Sequence, residues 1–259
     1  MTFGLDPDKI SARFSPSIIG REIQVYRETA STNDVAMRLG RAGMAEGVVI
    51  FAESQTAGRG RLGRQWKSAA GLGLWFSVLL RPRWADFSHL SLAAAVAVAR
   101  GIDPFLPERA RIKWPNDIYL GEDRKTAGIL CESSRDFAIV GVGLNVNHSW
   151  NDFDGEIADR ATSLALVSGQ HFDRNEVAAS VLAEFDRIYQ TLPNGFEAVV
   201  SECTERSVLL HRFVRIQSGG FSASGMVTGI DRDGGLRLRL ENGFEKIVTS
   251  GEVVAMEML

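Results

Sequence analysis

Residues 53–67 read Glu-Ser-Gln-Thr-Ala-Gly-Arg-Gly-Arg-Leu-Gly-Arg-Gln-Trp-Lys, directly after the apolar run Val48-Val49-Ile50-Phe51. Gly58, Gly60 and Gly63 are interleaved with Arg59, Arg61 and Arg64, and Lys67 adds a fourth positive charge. Glycine lets backbone approach a ligand closely. Arginine offers a permanent charge and a planar fork of donors suited to carboxylate or phosphate. Together they can wrap an anion with backbone N–H and guanidinium groups. Taken alone, the stretch is equally readable as a solvated basic face.

Two further motifs decide between these readings. One is Lys113-Trp114-Pro115-Asn116-Asp117 and the other is Lys125-Thr126-Ala127-Gly128-Ile129-Leu130. With Ser31-Thr32-Asn33 before the basic loop and Gly141-Val142-Gly143-Leu144-Asn145 after them, the chain resembles the biotin protein ligases from about Thr29 onward. Each motif is short, and it is their common order that is specific.

The resemblance implies an ATP-dependent ligase. Biotin's carboxylate would attack the α-phosphorus of ATP to give biotinyl-AMP and pyrophosphate. A lysine of a biotin carboxyl carrier protein would then take the biotinyl group. It further implies that Ser31, Thr32, Asn33, Gln55, Gly58, Arg59, Gly60, Arg61, Lys125 and Gly128 bind biotin. Arg59, Arg61, Arg64, Trp66, Lys113, Asn116, Asp117, Lys125 and Asn145 would lie on the nucleotide side, with Lys125 and Arg61 catalytic. Asp117 is alternatively a turn residue, and Ser31 or Thr32 alternatively only a helix cap. Leu62 stands where many relatives carry another basic residue. Mg²⁺ would accompany ATP, and no protein metal site is expected. Lipoate-protein ligase shares the reaction type and is the nearest alternative; a nucleic-acid-binding regulator is the alternative from a different class.

Such residues need elements to hold them. Glu22–Tyr26 alternates as a strand, and Ser31 opens a short helix through Leu39. Gly73–Leu80 is a buried strand, followed by an Ala-rich helix over Asp86–Arg100 with Gly101 as its stop. Arg111–Trp114, Ile118–Leu120, Thr126–Glu132 and Ala138–Asn147 are strands, with a hairpin at Gly121-Glu122-Asp123. Asp173 and Glu176 form a capping-box pattern before a helix to Leu192. A further helix follows Pro193-Asn194-Gly195 to about Cys203. From Val208 the alternation, with turn signals at Asp233-Gly234-Gly235 and Asn242-Gly243, predicts about five short strands. Residues 1–21 read as irregular. The expected fold is α+β: a mixed-sheet catalytic domain over 1–207, and over 208–259 a β-module that in the family is an SH3-like barrel.

Composition narrows the classes. The 259 residues are 45% hydrophobic and 24% charged, with net charge −3. That balance argues against a general nucleic-acid binder, so DNA is not an expected partner. The residues ahead of Ser31 are too few for a helix-turn-helix. The longest apolar run, Leu92–Ala99, is too short to span a bilayer, and the start lacks a signal-peptide pattern. Two cysteines and four histidines without ligand spacing suggest neither a disulfide framework nor a zinc site. Cytoplasm is the expected compartment. The sequence is compatible with a homodimer without fixing the oligomeric state.

Overall fold

The computed structural model describes residues 4–82, 88–121, 123–218 and 220–257. The elements in order are α1 (Pro7–Ser11), β1 (Glu22–Thr29), α2 (Thr32–Arg41), β2 (Val48–Gln55), β3 (Gly73–Leu80), α3 (His89–Ile102), β4 (Arg111–Lys113) and β5 (Asp117–Leu120). There follow β6 (Arg124–Ser133), β7 (Ala138–Asn145), α4 (Leu164–Ser168), α5 (Arg174–Thr191) and α6 (Phe196–Glu205). The last five are β8 (Phe213–Ser218), β9 (Phe221–Ile230), β10 (Leu236–Arg239), β11 (Glu245–Val248) and β12 (Glu252–Glu257).

Seven strands form one mixed sheet in the order β1-β2-β3-β7-β6-β5-β4. Only β1 and β2 run parallel within it. The strand period of two sorts the side chains to its faces. Val49, Phe51, Leu74, Phe76, Val78, Val140, Val142 and Leu144 join α3 and α5 in the main core. Val48, Ile50, Leu79 and Ile139 instead pack with Val35 and Ala36 of α2 in a smaller cluster. On this second face, alternate positions of the central strands are Ser77, Gly141, Gly143 and Gly128 rather than large apolar residues, which leaves a shelf beside α2.

The remaining strands make a separate antiparallel sheet, β11-β10-β9-β8-β12, the expected SH3-like module. The chain reaches it along the edge of the large sheet. Ile112 N donates to Arg206 O at 2.8 Å, and Val208 N donates to Ile112 O at 3.0 Å, so the connector straps β4. Trp114 Nε1 donates to Gly234 O at 2.9 Å, a second tie between the two parts.

Several elements differ from the sequence expectations. Residues 1–21 are not wholly irregular. Asp6 caps α1 by accepting from the backbone N–H of Asp8 and Lys9, and Pro7 occupies the first turn, where it costs no hydrogen bond. Gly101 does not stop α3, which runs to Ile102; the expected start at Asp86 lies outside the described residues. A side chain at 101 would collide with the Val181 backbone, so this glycine permits close packing of α3 on α5. Asp173 caps α5 through Asn175 N at 2.9 Å, while Glu176 is exposed. Ser31 sits at the N-cap of α2 but makes no side-chain cap bond. The short α4 was not expected. Of the hairpin at Gly121-Glu122-Asp123, Glu122 lies outside the described residues.

Asp186 of α5 anchors the N-terminal segment. Its carboxylate, 4% exposed, accepts from Ser17 N at 2.7 Å and from Ile18 N and Ile19 N at 2.8 Å each. Asp186→Ala leaves three backbone donors unanswered and should cost about 3–5 kcal/mol. Denaturant unfolding checks this, and a loss below ~1 kcal/mol would show that water replaces the carboxylate.

Candidate active site

The basic loop arches over the glycine shelf. It is pinned at its base where Thr56 N donates to Thr29 O at 3.0 Å and Ala57 N to Ala30 O at 2.9 Å. Trp66 N donates to Gly58 O at 2.9 Å and Gly60 N to Arg64 O at 2.7 Å, which folds the loop back on itself. At Gly58 a Cβ would collide with Trp66 O, so only glycine permits this fold. Mutual repulsion among the loop cations is offset by partners distant in sequence. Arg59 pairs with Asp34 at 2.7 Å and Glu132 at 3.0 Å. Arg64 pairs with Glu252 and Lys67 with Asp154. These pairs are largely exposed and individually weak.

The expected site residues fall into three groups. The first lies at the start of α2. Ser31, Thr32 and Asn33 are each buried. Gln55 Oε1 accepts from Thr32 N at 2.8 Å, and Gln55 Nε2 donates to Ser68 Oγ at 2.7 Å beside Gly58. Ser77 Oγ, fully buried, lies 2.7 Å from Thr32 Oγ1 and 2.6 Å from Asn33 Oδ1. Asn33 Nδ2 donates to Glu132 Oε2 at 2.6 Å. Ser77 and Glu132 were not singled out from the sequence, although a serine inside the apolar run Gly73–Leu80 is a signal, since buried hydroxyls need partners.

The second group is centred on Trp66. Its indole rests on the bare backbone of Gly128 and Gly143, where a Cβ would strike the ring. Lys125 Nζ lies 5.4 Å over the ring and 2.6 Å from Asp117 Oδ1. Lys113 Nζ sits 5.6 Å over Tyr119, and burial pulls its pKa below the ordinary lysine value. Gly141 makes the matching clearance for Asn33: a Cβ there would collide with Asn33 Oδ1. The glycines of the Gly141–Asn145 motif thus make room for two site side chains.

The third group joins the loop to the SH3-like module. Arg61 donates to Asn116 Oδ1 at 2.8 Å and to Gly251 O at 3.1 Å. Asn116 Nδ2 donates to Ile129 O at 2.7 Å, which fixes the amide. The Trp114–Pro115 bond before it is cis. Gly60 belongs to the arch itself, and Arg64 points to Glu252 rather than to the shelf. Asn145 is not at the shelf surface. Its Nδ2 donates to Thr162 O at 3.0 Å, and Thr162 N donates to Lys125 O at 2.9 Å, so Asn145 braces the backbone of Lys125.

Beneath the site runs an aromatic stack. Trp75 meets Trp66 edge-on at 6.4 Å and His148 at 5.8 Å, and His148 stacks on Phe153 at 5.3 Å. Burial pushes the His148 pKa down to about 4. The unfolded chain takes up this proton near the ordinary 6.5, and the folded chain only near 4. Stability from this group is therefore complete above pH 6.5 and is lost as pH falls toward 4, by about 3 kcal/mol in all. His148→Phe should remove this part of the acid loss. Urea unfolding of both proteins at pH 7 and pH 4.5 tests it, and equal acid losses would contradict it.

The sequence profile of the Biotin/lipoate A/B protein ligase family matches residues 25–147, and that of the Biotin protein ligase C terminal domain matches residues 212–256. The chain is 35% identical to the biotin–[acetyl-CoA-carboxylase] ligase of Mycobacterium tuberculosis, over 90% of this chain and 89% of the relative. It is 33% identical to the bifunctional ligase/repressor BirA of Bacillus subtilis, over 95% of this chain and 78% of that protein. Its fold is similar to that of a biotin protein ligase from Aquifex aeolicus in complex with biotin and ATP, with TM-score 0.81 and 32% identity, covering 92% and 99% of the two chains. These similarities place the chain in the biotin protein ligase family.

Proposed function

We propose that this protein activates biotin with ATP and transfers it to a lysine of a biotin carboxyl carrier protein. The observation that carries the reading is the position of Lys125, braced at the shelf between Asp117 and the Trp66 ring beneath the arginine arch. In the first step a carboxylate oxygen of biotin attacks the α-phosphorus, and the bond from that phosphorus to the bridging oxygen breaks to release pyrophosphate. Two anions must meet while charge builds on the phosphoryl oxygens, so positioned positive charge matters more than an acid–base pair. Lys125 and Arg61 supply it, and Arg59 can exchange its carboxylate partners for the ligand. In the second step the neutral amine of the carrier lysine attacks the acyl carbon, the bond to AMP breaks, and the amide forms with loss of a proton.

Among the described residues no cluster of three or more His, Cys, Asp or Glu side chains offers a metal cage. Mg²⁺ is proposed to arrive on the ATP phosphates, where it would neutralise charge. Biotin-dependent exchange of pyrophosphate into ATP should be measurable. Exchange with lipoate in place of biotin, or none with either, would overturn the proposal.

A further inference from the structure

Lys125 sits where β6 changes its neighbour. The pairing of β6 with β7 begins at Ala127, opposite Leu144. β7 ends one residue later, at Asn145, so Lys125 lies beyond the end of that strand. Residues 160–162 stand in for it. Lys125 N donates to Arg160 O at 2.8 Å and Thr162 N donates to Lys125 O at 2.9 Å, a parallel bridge of Lys125 with Ala161. In a strand both backbone groups of a residue point to the same side, so neither is left for Tyr119, the neighbour of Lys125 on β5. The stand-in belongs to no strand and is held by side chains. Asn145, 6% exposed, donates Nδ2 to Thr162 O at 3.0 Å. The fully buried Ser163 donates Oγ to His148 O at 2.7 Å. Between β7 and Arg160 the chain makes only two single turns, at Trp150–Asp152 and Gly155–Ile157.

We propose that residues 160–162 form a positioning segment for the Lys125 ammonium, and that Asn145 acts on the reaction through this segment rather than by touching the nucleotide. The inference rests on the role proposed above for Lys125. The ammonium has two anchors. Asp117 holds its charged end at 2.6 Å, and the segment fixes the backbone from which the side chain starts. A charge that must meet a reacting phosphorus tolerates little displacement, since a shift of ~1 Å can cost about 10²-fold in rate. Asn145 has its Nδ2 committed to Thr162 O, and one backbone step carries that hold to the N–H on which Lys125 O depends.

Thr162→Pro deletes the N–H that binds Lys125 O. It should lower kcat of biotin-dependent pyrophosphate exchange about tenfold and leave the KM values for biotin and ATP within about twofold. Asn145→Ala loosens the same segment from its other side and should lower kcat roughly threefold to tenfold with the same unchanged KM values. In a Lys125→Ala background neither substitution should cost more than about twofold further, because the group they position is gone. Thermal melts establish that each variant is folded; if Thr162→Pro is not, Asn145→Ala in the two backgrounds carries the test. Calorimetric titration with a non-hydrolysable ATP analogue should give the same affinity for Asn145→Ala as for the unsubstituted protein. Losses of equal size with and without Lys125, an undiminished kcat in folded variants, or a weakened affinity of Asn145→Ala for the analogue overturns the inference. Failure of the unsubstituted protein to exchange pyrophosphate would instead refute the function proposed above.

Discussion

Replacing Lys125 by alanine is expected to lower biotin-dependent pyrophosphate exchange by about 10²–10³-fold, or ~3–4 kcal/mol of transition-state stabilisation. The backbone of Lys125 is clamped between Arg160 O, 2.8 Å from its N, and Thr162 N, which donates to its carbonyl at 2.9 Å. The side chain contributes little to packing, because its charged end lies against Asp117 and over the face of Trp66. On the role proposed for Lys125, the lost rate would report charge at the reacting phosphorus, with the fold intact. Lys125→Arg should not restore it, since a planar fork cannot replace a point charge held at one distance. Single-turnover exchange on variants with unaltered melting temperatures measures the loss. A folded Lys125→Ala protein within a few-fold of normal would remove Lys125 from the chemistry.

The second large effect concerns the shelf. Gly141→Ala should weaken biotin binding by roughly 2–3 kcal/mol, about 30- to 150-fold. The added Cβ collides with Asn33 Oδ1, and Asn33, 4% exposed, must abandon Ser77 and Glu132 to escape. Gly143→Ala two residues along strikes Trp66 instead and should mainly raise the KM for ATP. Steady-state kinetics with each substrate varied in turn decides the matter. If both variants show the same split between the two KM values, the shelf does not divide into a biotin end and a nucleotide end.

The apolar runs of β3 and β7 identified both as strands from the sequence, with ends near those observed. Period two further implies that Gly141 and Gly143 share a face, but the sequence reveals neither that Ser77 pairs with Gly141 nor which side chains lie over the glycines. Asn33 and Trp66 come from elements far apart in the chain, and only the sheet order brings them together. Gly101 was misread for a related reason. A glycine near a helix end usually marks a stop, and here the demand came from Val181 on another helix. The helix α1 was missed because it spans only five residues, too few for periodicity to register. Glu132 was invisible because a glutamate at a strand end is ordinarily a solvated group, and its meaning depends on Asn33 and Arg59 reaching it.

The attachments of the SH3-like module have a mechanical consequence. Two of them, the strap along β4 and the Trp114 bond to Gly234, lie on the body of the large sheet. Two others, Arg61 to Gly251 and Arg64 to Glu252, run through the arch. Lifting the arch would free only that edge: Arg212 stays paired with Asp123 at 2.8 Å, Gly234 stays against Leu92 and Phe196, and the module's apolar side chains stay in the main core. The arch is therefore a latch on one margin of a module that is otherwise seated, and its opening and closing would be felt at the Gly251–Glu252 corner first.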